Sequence, residues 1–411
     1  MFGSPLLLFW PSGAGARLAS AAIADGVVLL LLAAACAYLA LAIWRVAQFQ
    51  LGGTPDPGFR PPITVLMPLC GDEPGLLDRL RSLCRQPYDR LQIVLGTASL
   101  GDPVLNLVTR VAKEFPTRDI ALVVDPSKHG GNRKVSNLLN MVPHARHGLL
   151  LLCDSDVELK GDVLGPFVAP LADPDVGAVT AAYRSLPTGT FGSRLGSLLL
   201  NDWFLPGDLI TESLGPMAAC NGPLVAIRRQ TLDAIGGFGA IADDLADDVA
   251  MGALIRRLGK RIVLSRVPVN IVVEGRLQPV LRRELRWART IRATQRIAHF
   301  MSLVTFALPL AAVLVALDWS LVPIALLGTA AALRIVLHRL ICRRLGITTP
   351  APSWLLMARE LACLAVWLAS YAGHRIVWRG VDLELRADGK LVREPIPARN
   401  ALIAGEQSAD D

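Results

Sequence analysis

Residues 148–156 read GLLLLCDSD, an apolar run that stops at two aspartates flanking a serine. A run this short, opened by a glycine and showing no polar side chain to water, fits a strand buried on both faces of a sheet. The same kind of run occurs three times upstream: ITVLMPLC at 63–70, LQIVLGT at 91–97 and IALVVD at 120–125. Between these runs, residues 73–85, 104–115 and 132–141 have helical spacing; in the first of them Leu76, Leu77, Leu80, Leu83 and Cys84 fall on one side. Strands and helices alternating in this way predict an α/β domain with a mostly parallel central sheet and helices on both faces. Ligands of such sheets sit at the carboxyl ends of the strands, so the residues that follow each strand are the ones to read for chemistry.

Outside this region the chain changes character. Of 411 residues, 52% are hydrophobic and only 19% charged, against about a quarter charged in ordinary soluble domains. The apolar surplus is local. Gly26 to Trp44 is uncharged and long enough for a spanning helix. It reads as a retained anchor rather than a signal peptide, because no small-residue cleavage site follows promptly. Phe300–Leu317 and Trp319–Leu333 form a second cluster, a helical hairpin with Asp318 at its turn and Arg334 placed to snorkel at its end. A further run, Leu361–Gly373, can lengthen to a span from Trp354 only by taking in Arg359 and Glu360. It reads equally as a span, an interfacial segment or a re-entrant one. The expected organisation is a short segment at 1–25, a transmembrane helix at 26–46, a Pro/Gly-rich linker at 47–62 and an α/β domain at 63–280. A basic juxtamembrane helix at 281–299, a transmembrane hairpin at 300–337, the segment 354–375 and a tail at 376–411 complete it.

Arginines flank the spans on one side: Arg45 after the first, Arg282 to Arg296 before the second, and Arg339, Arg343 and Arg344 after the third. That asymmetry predicts a cytoplasmic α/β domain and an external N-terminus. Disorder is excluded by the apolar content. Seven cysteines, an odd number without paired spacing, exclude a disulfide scaffold and suit a reducing compartment. The net charge of +7 suits anionic partners, but aromatic residues are only 6% and the basic residues cluster beside the apolar runs, which argues against nucleic acid.

Five stretches carry candidate chemistry. In an extended segment Asp154 and Asp156 would point the same way, and paired carboxylates suit Mg²⁺ or Mn²⁺ and, through it, a diphosphate; turn chemistry at a strand end is the plainer explanation. Asp102 follows the strand at 91–97 and, with Pro103 after it, also fits a helix N-cap. KHGGNRKVSNL at 128–138 offers paired glycines with Asn132, Arg133 and Lys134, which could meet phosphates or form a solvated loop. Asp243, Asp244, Asp247 and Asp248 open a helix; the helix dipole accounts for one or two of them, and one buried carboxylate could act as a general base. Arg283, Arg286, Arg289, Arg292 and Arg296 share a helix face that could lie on lipid head groups, and Arg286-Trp287 adds an indole beside a phosphate-binding guanidinium. His129, His144 and His147 lack metal-ligand spacing.

The order of these pieces, Asp102, NRKVSNL, DSD, an acidic pair and RELRW followed by apolar helices, resembles the family 2 glycosyltransferases. Within them it is similar to the ceramide glucosyltransferase-like branch, which includes bacterial hopanoid-associated glycosyltransferases. The resemblance runs from about Ile63 to Trp287. It implies a GT-A-like nucleotide-sugar-binding domain, flanked by N- and C-terminal transmembrane helices, that transfers a hexose or N-acetylhexosamine from a UDP-sugar to a lipid hydroxyl with Mg²⁺ or Mn²⁺. By position it implies donor contacts at Asp102, Asn132, Lys134, Asn137, Asp154 and Asp156, with metal at Asp154 and Asp156. The catalytic base falls at Asp248 beside Asp247, and Arg283, Arg286 and Trp287 lie over the diphosphate and acceptor. The pair here is Asp-Asp where many relatives have Glu-Asp. The first arginine of RELRW is the choice of lipid-directed members, and residues 201–220 lack the histidine of eukaryotic members. The alternatives are a processive polysaccharide synthase and, outside enzymes, a membrane transporter or scaffold with an inactive domain.

Overall fold

The structure, a computed structural model, describes residues 13–52, 58–273, 275–378 and 381–392, with the backbone alone for 13–24 and 268. Residues 1–12 of the expected N-terminal segment, the centre of the linker at 53–57 and the tail beyond 392 lie outside the described residues.

The chain opens with helix α1 (Gly13–Gln48) and then alternates as the sequence predicts: β1 (Ile63–Pro68), α2 (Leu76–Cys84), β2 (Leu91–Thr97), α3 (Val104–Glu114), β3 (Asp119–Val124), α4 (Arg133–Met141) and β4 (Leu149–Cys153). The second half brings β5 (Val157–Glu158), α5 (Leu164–Val168), β6 (Val176–Ser185), α6 (Phe191–Leu199), α7 (Leu205–Leu214), β7 (Leu224–Arg228), α8 (Arg229–Ala234), α9 (Asp247–Arg257) and β8 (Arg261–Ile271). Eight strands form one sheet in the order β3-β2-β1-β4-β7-β6-β8-β5. Neighbours from β3 to β4 are parallel, as are β6 and β8; β7 is antiparallel to both its neighbours, and β5 to β8. Successive side chains of the central strands point to opposite faces. Leu66, Val94, Leu150 and Leu152 are buried with Val135, Leu138 and Met141 of α4, while Val65, Ile93, Leu149 and Leu151 are buried with residues of α2 and α3. Burial on both faces is why these strands read as unbroken apolar runs.

Helix α10 (Leu277–Thr294) leads into α11 (Arg296–Met301), α12 (Ala307–Leu317), α13 (Leu321–Leu345) and α14 (Ser353–Ser370). Among the described residues three helices are long and apolar enough to cross a membrane, at Asp25–Gln48, Leu321–Leu345 and Ser353–Ser370. They become four if the pair Arg296–Thr305 and Ala307–Leu317, bent by 63°, counts as one. The first arm of the expected hairpin is therefore broken, at Phe306.

The break has a chemical counterpart. Arg334 does not snorkel as the sequence suggests: it is fully buried, with its Nε 2.6 Å from Glu360 Oε1. Its Nη2 donates to the carbonyl of Thr305 at 2.8 Å, and Glu360 Oε2 accepts from the backbone N–H of Leu308 at 2.7 Å. The two charges thus neutralise each other and satisfy backbone groups freed where the helix breaks, the condition for irregular backbone among apolar helices. Glu360 of α14 thus pairs with α13, and its neighbour Arg359 pairs with Glu284 of α10, so neither charge interrupts the helix.

Beyond α14 the chain folds again. β9 (Arg375–Trp378), β10 (Val381–Leu385) and β11 (Leu391–Val392) form a small antiparallel sheet. Its buried Ile376, Leu383, Leu385 and Leu391 pack with Leu245, and it docks on the segment before α9 through Leu391 N–H to the Asp243 carbonyl at 2.9 Å.

Candidate active site

The site lies where β1, β2 and β4 end, and the turn after β4 is its centre. Residues 154–157 are not extended, as the pairing of Asp154 and Asp156 had assumed; the N–H of Val157 bonds the Asp154 carbonyl at 3.2 Å and closes a turn. That turn is held from below. The Ser155 hydroxyl donates to Glu73 at 2.9 Å, and buried Arg79 donates to the Ser155 carbonyl. The two carboxylates remain close enough to repel. Desolvation first, then the Asp154 charge, push Asp156 up to about 6, with Arg283 and Arg79 pulling the other way. Asp156 Oδ1 is buried and has no hydrogen-bond partner.

Lys134, the second residue of α4, joins two of the sequence motifs. Its Nζ lies 2.9 Å from Asp154 Oδ1 and 3.3 Å from Asp247 Oδ2. Burial opposes its charge, but Asp154 and Asp247 outweigh burial and hold the ammonium above its ordinary value. Asn132 caps α4, accepting from Val135 N–H at 3.1 Å, and donates to the Asp244 carbonyl at 2.8 Å and, at 3.5 Å, to Asp247 Oδ1. The helix thus presents Asn132 and Lys134 to the acidic pair because its cap is anchored there. The glycines before it have a different use from phosphate contact. A Cβ on Gly130 would lie 2.5 Å from the Ala242 carbonyl oxygen, and one on Gly131 would lie 2.8 Å from Leu391 Cβ.

Of the four acids, only Asp247 and Asp248 belong to α9. Asp243 receives the N–H of Gly131 at 2.8 Å, and the backbone of Asp244 forms an isolated antiparallel β-bridge with Lys390, just before β11. Asp248 is half-buried. Its Oδ1 accepts from Val249 N–H at 2.9 Å, and its Oδ2 is so near Gly222 that a Cβ there would stand 3.0 Å away. Desolvation, then Asp247, push Asp248 up to about 6, against the pull of Lys134. Such a carboxyl is poised to hold or release a proton near neutrality.

Arg283 stacks its guanidinium 5.0 Å over the Trp287 ring and acts on Asp156, and Trp287 meets Phe204 edge-on at 5.6 Å. Arg286 takes another direction, 5.4 Å over Trp378 of β9. Arg289 and Arg292 donate to the carbonyls of Ala372 (2.9 Å) and Gly373 (3.1 Å), just past the end of α14, rather than to a surrounding surface. Asp102 and Asn137 are engaged with backbone. Asp102 accepts from Gly71 N–H (3.0 Å), Thr97 Oγ1 (2.8 Å) and Val104 N–H (3.0 Å), tying β1, β2 and α3 together. Asn137 donates to the Gly96 carbonyl at 2.8 Å from a buried position. The structure therefore brings Asn132, Lys134, Asp154, Asp156, Asp247, Asp248, Arg283 and Trp287 into one connected cluster, sets Asp102 and Asn137 against the backbone, and leans Arg286 on the C-terminal sheet.

The sequence profile of Glycosyl transferase family 21 matches residues 27–391. The chain belongs to that family. The match covers α1 from Val27 onward, the whole central sheet, the site and all but the last residue of the small C-terminal sheet. Among curated relatives, ceramide glucosyltransferase 1 of Caenorhabditis elegans is 22% identical over 227 residues, 52% of this chain and 46% of the relative. An N-acetylglucosaminyltransferase of Rhizobium meliloti (strain 1021) is 26% identical over 245 residues, 56% of this chain and 55% of the relative. The chain thus spans about half the length of the curated relatives it matches. A mannosyltransferase from Pyrobaculum calidifontis, solved with GDP-Man and Mn²⁺, superposes with a TM-score of 0.57 at 22% identity, over 84% of this chain and 98% of that one. That likeness carries the GT-A-like fold.

Sequence reading missed Glu73 and Arg79 beneath the central turn and Trp378 beneath Arg286. Each is a lone residue whose part depends on a partner far along the chain, so spacing carries no signal for it.

Proposed function

We propose that this family 21 member is an inverting, membrane-embedded glycosyltransferase that moves a hexose or N-acetylhexosamine from a UDP-sugar to the hydroxyl of a lipid of ceramide or hopanoid type. The observation that carries the reading is Lys134, whose ammonium joins Asp154 of the DSD turn to Asp247 of the acidic pair. It ties a donor-side carboxylate and the base-side carboxylates into one cleft. Asp248 takes the proton of the attacking hydroxyl. A bond forms from that oxygen to the anomeric carbon as the bond to UDP breaks, and the electron pair leaves with the diphosphate oxygen. Asp247, pinned by Lys134 and Asn132, keeps Asp248 oriented.

Asp154 and Asp156 suit a divalent cation. Asp156 keeps a buried oxygen without a partner, and Mg²⁺ or Mn²⁺ needs only one or two protein carboxylates when substrate phosphates complete its shell. Among the described residues no group of three or more His, Cys, Asp or Glu is placed to hold a metal ion by itself. When bound, the cation would neutralise diphosphate charge. Arg283, beside Asp156, supplies fixed positive charge for the departing UDP, and Trp287 with Phe204 forms an apolar wall.

The apolar helices support a bilayer setting, and the arginine asymmetry supports a cytoplasmic catalytic domain at a bacterial inner membrane. Helix α10 runs from the cleft to the first of the C-terminal apolar helices, so an acceptor held at the bilayer surface would be pre-positioned for attack. The test is incubation of the purified chain with UDP-glucose, UDP-N-acetylglucosamine, a lipid extract and Mn²⁺, with mass spectrometry of the lipids. A new hexosyl- or N-acetylhexosaminyl-lipid supports the reading; unchanged lipids across donors and extracts contradict it.

A further inference from the structure

We propose that Tyr183 and Asp208 form the subsite that holds the transferred sugar, the phenol donating and the carboxylate accepting hydrogen bonds from its hydroxyls. The inference rests on the glycosyltransferase reading above and goes beyond it in naming what reads the sugar.

Tyr183, near the end of β6, is only 6% exposed, and its hydroxyl has no hydrogen-bond partner. A buried phenol without a partner gives up about 1–3 kcal/mol of hydration, so its persistence calls for a ligand. Its surroundings say which one. Burial raises the phenol well above its ordinary value, and the negative charges of Asp248, Asp208, Asp154 and Asp156 raise it further. The backbone ties its strand to the base: Asn221 Nδ2 donates to the carbonyl of Ala181, two residues before Tyr183, and the next residue, Gly222, lies against Asp248. In the reading above, the body held between a diphosphate and that base is the sugar.

Asp208, on α7, is built in rather than loose. Its Oδ2 accepts from Asn221 Nδ2 at 2.8 Å, and the same amide donates to the Ala181 carbonyl at 3.1 Å. Thr180 Oγ1 accepts the Asn221 N–H at 2.6 Å. The next residue is Gly222, against which Asp248 Oδ2 rests. Asp208 and Asp248 thus flank a single fixed step of the chain, with Tyr183 two residues on from Ala181. Desolvation pushes Asp208 up to about 7, in spite of the Asn221 hydrogen bond. A phenol that donates and a carboxyl that accepts are together complementary to hydroxyls, which do both. Phosphates, which only accept, would be repelled by Asp208.

The experiment compares the full chain in detergent with its Tyr183→Phe and Asp208→Asn variants, by titration calorimetry with Mn²⁺. The probes are UDP-glucose, UDP-N-acetylglucosamine and GDP-mannose, with UDP and GDP as sugar-free controls. Each variant should bind the preferred nucleotide sugar about 5- to 10-fold more weakly while its affinity for the free nucleotide stays within twofold. Equal nucleotide-sugar affinity in native and both variants overturns the inference. So does a parallel loss for sugar and sugar-free nucleotide, which would mark a structural part only. If the native chain binds none of the nucleotide sugars, the glycosyltransferase reading itself fails and this inference goes with it; binding that leaves the variants unaffected sinks the inference alone.

Discussion

The guanidinium of Arg359 grips the carboxylate of Glu284 with both prongs, Nη1 to Oε1 at 2.9 Å and Nη2 to Oε2 at 2.7 Å, and neither side chain is more than 2% exposed. Glu284 is the second residue of RELRW, between Arg283 and Arg286; Arg359 lies inside the apolar helix α14. The pair ties the helix that carries the site's arginines to a candidate membrane span. Removing one partner strands a buried charge, which costs about 3–5 kcal/mol. Glu284→Gln and Arg359→Met should each lower the unfolding midpoint sharply in detergent and reduce transfer. The double variant should recover most of the midpoint, because no charge is then left unpaired. Additive losses would show that the two side chains do not act as a pair.

The DSD turn is expected to make nucleotide-sugar binding depend on a divalent cation. Chelation should weaken binding of the native chain, and Mn²⁺ or Mg²⁺ should restore it. In Asp156→Ala the same titration should give one weak affinity with or without the cation. Full cation dependence in that variant would place the cation elsewhere.

Trp378 offers a test of the C-terminal sheet. Cation–π contacts of this kind contribute about 0.5–2 kcal/mol, so Trp378→Ala should lower kcat/KM by roughly 3- to 30-fold if the ring holds Arg286 in place. Arg286→Ala in the Trp378→Ala background should then cost less than in the native chain. Independent losses would mean that the sheet serves folding alone.

The Asp248 carboxyl, raised to about 6 by desolvation and then by Asp247, sets a pH signature. The base works without its proton, so transfer should rise about tenfold per pH unit below 6 and level off above. Stability should run the other way. A carboxyl raised above its unfolded value of about 3.9 binds its proton more tightly in the folded chain. Its contribution is present below about pH 4 and is lost as pH rises through about 6. Asp248→Asn should therefore unfold at an equal or higher temperature than the native chain at pH 8. A lower midpoint there would mean that the charged Asp248 stabilises the fold.

The first half of the fold was legible because its strands are buried on both faces and its helices are short and amphipathic. Residues 91–97 and 104–114 appear within one residue of their predicted bounds. Past Asp156 the pattern fades: β6 carries Thr180, Tyr183 and Arg184, and β8 carries Ser265, Arg266 and Asn270, polar residues that break the apolar runs, with Arg184 donating to Asn270 across the sheet. The site motifs could be read as types but not as geometry. Nothing in the spacing of Asn132 and Lys134 shows that they hold the acidic pair more than 110 residues later. The internal charges Arg334, Arg359 and Glu360 looked like flaws in apolar runs because each partner lies on another helix. The segment from 376, read from sequence only as a tail, carries strands that abut the acidic segment through Asp243 and Leu245.

The central claim is that Asp248 deprotonates a lipid hydroxyl. The direct measurement is transfer of radiolabelled sugar from its UDP-sugar into lipid extract, by native chain and by Asp248→Asn under identical conditions, with nucleotide-sugar binding measured on the same samples. Labelled lipid is expected from the native chain, with a fall of about 10²- to 10⁴-fold in the variant and nucleotide-sugar binding retained. Undiminished transfer by Asp248→Asn would contradict that claim.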